Sequence, residues 1–126
     1  MKKKILVVED DAFFSSIMSE ELTKVGYEVK SVFDGTHAIQ AIEDEKPDLV
    51  LLDLLMPQTD GFQVLTALKN NPSSPTTPVI VLSNFGQSQD IKRAKDLGAT
   101  DFLIKINYMP KQVLEKVSAV LGPATS

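Results

Sequence analysis

A chain of 126 residues has room for one hydrophobic core and not for two. Hydrophobic residues at 43%, charged residues at 24% and a mean hydropathy near zero exclude both a disordered and a membrane-embedded chain. The absence of Cys excludes disulfides, thiolate metal sites and cysteine nucleophiles and suits a reducing cytoplasm, while a net charge of -4 argues against a protein that tracks nucleic-acid phosphates.

The opening Lys2-Lys3-Lys4 imitates a signal peptide, but the apolar run Ile5 to Val8 stops at Glu9-Asp10-Asp11. No later run is long enough to span a bilayer. Ile5 to Val8 therefore predicts a short strand, and Phe14, Ile17, Met18, Leu22 and Val25 then share one face of a helix that Gly26 ends. Val29 to Val32 predicts the second strand and Ala38, Ala41 and Ile42 the second helix. Leu49 to Leu52 predicts the third strand, followed by a helix on Gly61, Val64, Leu65 and Leu68 that ends at Asn70-Asn71-Pro72. Asn70 to Thr77, rich in Pro, Ser and Thr, is a surface connection. Val79 to Leu82 is the fourth strand, Ile91, Ala94 and Leu97 before Gly98 mark a short helix, and Phe102 to Ile104 is the fifth strand. Val113, Leu114, Val117 and Leu121 predict the last helix, closed by Gly122-Pro123.

Continuous apolar strands suit a parallel sheet covered on both faces. Strand and helix alternate throughout, so the expected fold is α/β: a doubly wound, five-stranded parallel sheet of flavodoxin-like type with strand order 2-1-3-4-5. A single domain over 1–126 is expected, with its core at 4–121 and a tail at 122–126 too short to be an output module.

Ligands of such sheets lie beyond the carboxyl ends of the strands, where the strand order reverses. Asp10 and Asp11 follow the first strand, Asp53 the third, Ser83 the fourth and Lys105 the fifth, so these residues should converge. Each has a plainer reading alone: Asp10-Asp11 as a helix N-cap with a solvated neighbour, Asp53 as a strand end, Lys105 as a surface cation. Together, three carboxylates repel one another unless a cation intervenes. With no Cys and His37 elsewhere, oxygen ligands favour Mg²⁺. Three Asp, one Mg²⁺ and Lys105 sum to zero charge, a site able to accept a phosphoryl group. An ionised Asp needs no general base to attack phosphorus, and Asp53 is the candidate nucleophile. His37 is a surface residue without a role, and Lys92, Arg93 and Lys95 form a solvated face.

Val8-Glu9-Asp10-Asp11, then Leu51-Leu52-Asp53-Leu54-Leu55-Met56-Pro57 with Asp60-Gly61, then Val81-Leu82-Ser83, then Leu97-Gly98-Ala99-Thr100-Asp101-Phe102-Leu103-Ile104-Lys105 resemble a response-regulator receiver domain of the stand-alone chemotaxis type. The resemblance runs from Ile5 to Leu121. It implies that Asp53 is the phosphoacceptor, that Asp11 and Asp53 bind Mg²⁺ directly with Asp10 helping through water, and that the main-chain carbonyl of Leu55 is a further ligand. It also implies Ser83 as the switch hydroxyl, Phe102 as the switch aromatic and Lys105 as the phosphate-pairing lysine. The phosphoryl donor would be a sensor histidine kinase or a histidine phosphotransfer protein. The chain would catalyse only its own phosphorylation and dephosphorylation, as a cytoplasmic monomer or weak dimer with no nucleic-acid or membrane contact. Its output would be a protein partner on a changed surface of the fourth helix, fifth strand and fifth helix.

Three residues depart from the family pattern. Ile106 stands where Pro, commonly after a cis bond, is usual, which leaves the isomer at Lys105-Ile106 open. Asn84 replaces a small residue, and Leu55 places an apolar side chain beside the pocket; both are expected to alter the lifetime of the phosphorylated state. Ile106 and Asn84 also motivate the rival reading, a phosphorylation-independent interaction module. A flavin carrier on the same fold is disfavoured, because its first loop should offer hydroxyls and amides to phosphate rather than Glu9, Asp10 and Asp11.

Overall fold

The structure, a computed structural model, describes residues 2–54, 60–70, 77–84 and 87–123. Five strands, β1 (Lys4–Val8), β2 (Glu28–Val32), β3 (Leu49–Leu52), β4 (Val79–Ser83) and β5 (Asp101–Ile104), form one sheet in the order β2-β1-β3-β4-β5, every pair parallel. Five α-helices alternate with them: α1 (Ala12–Lys24), α2 (Gly35–Glu45), α3 (Gly61–Asn70), α4 (Ser88–Asp96) and α5 (Pro110–Leu121). The expected strand order is the observed one.

Strand side chains alternate between the two faces, so an unbroken apolar run feeds two cores at once. Leu6, Val8, Val50, Leu52, Val79 and Val81 point to one face, where Ala38, Ile42, Val64, Leu65 and Ala94 of α2, α3 and α4 cover them. Ile5, Val7, Leu49, Leu51, Ile80 and Leu82 point to the other, under Met18 and Leu22 of α1 and Val113 and Val117 of α5.

The two edge strands depart from the continuous pattern. β2 reads Glu28-Val29-Lys30-Ser31-Val32 and none of its residues is fully buried, because it has a neighbour on one side only. In β5 only Leu103 is fully buried. Val25 also differs from expectation: it caps the C-terminus of α1 and is 52% exposed, the helical period having already turned it off the buried stripe. Gly26 follows at φ 106°, a left-handed conformation that returns the chain to β2. The connection expected over Asn70 to Thr77 lies outside the described residues between 71 and 76, as does the end of the tail at 124–126. Among the described residues no helix is long and apolar enough to cross a membrane.

Candidate functional site

Register places the carboxylates. Val8 pairs with Leu52, so the next residues of β1 and β3 are Glu9 and Asp53. Both continue the ladder: the Glu9 N–H donates to the Val32 carbonyl at 3.1 Å and the Asp53 N–H to the Val8 carbonyl at 3.0 Å. By alternation both side chains leave on the α1 and α5 side of the sheet. Both are buried, at 3% and 6% exposure, at the carboxyl edge of the sheet.

The acidic group is therefore Glu9, Asp10 and Asp53, which offer carboxylate oxygens within 4.8 Å of one another. The expected group shifts by one residue: Glu9 joins it and Asp11 stands outside it. Asp11 is occupied at the helix start, where its Oδ1 accepts the N–H groups of Phe13 at 3.0 Å and Phe14 at 3.2 Å. The chain has left the strand by Asp11, and an exposed carboxylate at that point satisfies the donors of the first helical turn. The sequence signal for Glu9 was its place as the first residue after Val8. The Leu55 carbonyl lies outside the described residues.

Lys105 closes the site from the far side. It begins a 3₁₀ turn, Lys105–Asn107, directly after β5. Its side chain reaches back across β4, so that Nζ lies 3.4 Å from Asp53 Oδ2 and makes a short ion pair with Glu9 Oε1. The ring of Phe14 lies against the same ammonium, 4.4 Å from Nζ to centroid. Sequence reasoning missed this cation–π contact because it joins α1 to the turn after β5. Ser83 is fully buried at the end of β4 and is in register with Ile104. Phe102 is half-buried and packs against the core formed with α2, α3 and α4. Arg93 of α4 lies 4.0 Å from the centroid of Phe62 in α3, which gives one cation of the solvated face a packing role. His37 donates its backbone N–H to the N-cap Asp34 at 2.8 Å and remains outside the site.

Burial pushes the Glu9 carboxyl up to about 7, against the opposing pull of Lys105 and the Asp11 N–H. Burial also works against the Lys105 ammonium, yet the hydrogen bond it donates to Glu9 and the charge of Asp53 outweigh it and hold Lys105 above its ordinary value. The sign for Glu9 is fixed by linkage: its folded-state pKa is raised, so its contribution is fully present below about 4.5 and is lost as pH rises through about 7. In chelator, the protein should lose on the order of 3 kcal/mol between pH 5 and pH 8 from this group, and Glu9→Gln should remove that part of the slope. Urea unfolding at the two pH values measures it, and parallel curves for both proteins would rule it out.

Such a site suits a hard cation. Its donors are carboxylate oxygens alone, and a protein cation already sits between two of them.

The comparisons with known proteins agree with this geometry. The family model described as "Response regulator receiver domain" matches residues 5–118. PhoP of Bacillus subtilis, an alkaline phosphatase synthesis transcriptional regulatory protein, is 34% identical over 121 residues, which are 96% of this chain and 49% of that protein. The chain spans about half the length of the curated relatives it matches. Among solved structures, the chemotaxis protein CheY4 of Vibrio cholerae superposes with a TM-score of 0.89 at 27% identity, covering 96% of this chain and all of that one (100%). The BeF3-activated N-terminal receiver domain of Klebsiella pneumoniae RstA gives 0.86 at 28% identity, with 95% and 99% covered.

Proposed function

The chain belongs to the response-regulator receiver family, and on that footing we propose that Asp53 takes a phosphoryl group from a phosphohistidine of a sensor kinase or phosphotransfer protein, with Mg²⁺ beside it. The observation that carries this reading is the buried Asp53 carboxylate at the end of β3, held between a lysine and two further carboxylates.

An Asp53 carboxylate oxygen attacks phosphorus, the P–N bond to the donor imidazole breaks, and its electron pair leaves with the ring nitrogen. The product is an acyl phosphate on Asp53. Lys105, already on Asp53 Oδ2, supplies positive charge to the phosphoryl oxygens. Ser83, at the end of the adjacent strand, offers a hydroxyl to the same oxygens. Glu9, Asp10 and Asp53 would hold Mg²⁺, which would supply positive charge beside the transferring group. In this reading the chain catalyses only its own phosphorylation and slow hydrolysis.

Phosphorylation acts by population shift, favouring the conformation in which Ser83 and Phe102 have moved together and changing the α4, β5 and α5 surface that a downstream protein reads. These residues act in the cytoplasm, as a monomer or weak dimer, and read no nucleic acid themselves. The transcriptional regulators among the relatives are about twice as long as this chain.

Acetyl phosphate substitutes for the kinase in the direct test. Intact mass should show one added phosphoryl group with Mg²⁺ and none in chelator. A folded chain that takes no phosphoryl group and binds no beryllofluoride would establish the rival reading, a phosphorylation-independent interaction module.

A further inference from the structure

The turn that carries Lys105 is tied to the end of β4 by the side chain of Asn84. All described peptide bonds are trans, including Lys105-Ile106, and residue 106, an Ile rather than a Pro, has a backbone N–H to donate. That N–H donates to Asn84 Oδ1 at 3.1 Å, 22 residues away in sequence. The orientation of the amide is unambiguous, because a backbone N–H can face only the oxygen. Within the turn, the Tyr108 N–H returns to the Lys105 carbonyl at 3.2 Å. Ile106 offers little packing to hold the turn, since its side chain is 82% exposed. The neighbouring residue on one side of this bond is Ser83 and on the other is Lys105, whose Nζ rests on Asp53.

We infer that Asn84 is a positioning residue: by accepting the Ile106 N–H it fixes the Lys105–Asn107 turn and so aims the Lys105 ammonium at Asp53. Asn84 and Ile106 then form a matched pair, one supplying the acceptor and the other the donor. A proline at 106 would have no N–H to give. The bond also links the strand end that carries Ser83 to the turn that carries Lys105.

The kinetic part of this inference rests on Asp53 being the phosphoacceptor; the structural part does not, and the two are read separately. Asn84 is exposed, so its substitution leaves the core intact. In the unphosphorylated protein, Asn84→Ala should speed hydrogen exchange of the Ile106 amide about fivefold and move the Lys105 ε-methylene NMR signals toward those of a solvent lysine. Asn84→Asp, which keeps an acceptor, should restore both. Lys105 signals unmoved by Asn84→Ala would overturn the inference whatever the phosphorylation result. With acetyl phosphate and Mg²⁺, Asn84→Ala should slow phosphorylation about fivefold in the native background and have no effect in a Lys105→Ala background. An equal effect in both backgrounds would mean that Asn84 acts on access to Asp53, and would likewise overturn it. Failure of the native chain to take any phosphoryl group would sink the phosphoacceptor reading and leave the NMR arm to decide on Asn84.

Discussion

Asp53→Ala is expected to abolish phosphorylation by acetyl phosphate in Mg²⁺, lowering the rate at least about a thousandfold. The site holds two other carboxyls, so the expectation needs an argument for why neither replaces it. Glu9 is the closer rival, one strand away in register. Its Oε1 is engaged by the Lys105 ammonium and its Oε2 accepts the Asp11 N–H, so neither oxygen is free to attack phosphorus. Asp10 is exposed, outside the cover of Lys105 and Phe14 that would stabilise charge on a phosphoryl group. Intact mass of the variant is the measurement, with a thermal melt to show that it is folded. An adduct forming on Asp53→Ala at the native rate would move the acceptor elsewhere.

Much of this arrangement is legible in the sequence, and the reason lies in the strands. β1, β3 and β4 are buried on both faces, so their apolar runs are unbroken and the first polar residue after each marks a position on the sheet's carboxyl edge. That logic reaches Asp53 and Ser83 directly, and Lys105 by the same step after edge strand β5. Applied strictly it also reaches Glu9, since the residue after Val8 extends the ladder before the chain turns. The acidic string hid this, because Glu9, Asp10 and Asp11 are chemically equivalent on paper and only local backbone geometry divides them into ligand candidates and a helix cap. Edge strand β2 is weaker in pattern because only part of it needs burial. The bond from Asn84 to Ile106 was out of reach altogether: residue identities suggest two separate departures, and only the fold shows that they meet.

Gly61→Ala is expected to destabilise the protein by about 3 kcal/mol or more and to slow phosphorylation in the molecules that fold. Gly61 opens α3, and its N–H donates to the Leu54 carbonyl at 2.9 Å. A Cβ there would lie 2.6 Å from Leu54 Cα and 2.8 Å from the Asp53 carbonyl oxygen. Both are backbone atoms at the end of β3, so no side-chain rotation relieves the contact. Either α3 moves away from the sheet, opening the core around Val64 and Leu65, or the segment carrying Asp53 is displaced. The first response costs stability and the second costs chemistry, since Asp53 would leave the reach of Lys105. Glycine is thus required by close approach rather than by backbone angle. Urea unfolding reads the stability, and the rate of adduct formation under native conditions reads the position of Asp53. Gly98→Ala is the comparison, because its Cβ would meet nothing within 4 Å while its φ of 101° carries the backbone strain alone. A Gly61→Ala protein as stable and as reactive as the native chain would show that α3 docks more loosely on Leu54 than this contact requires.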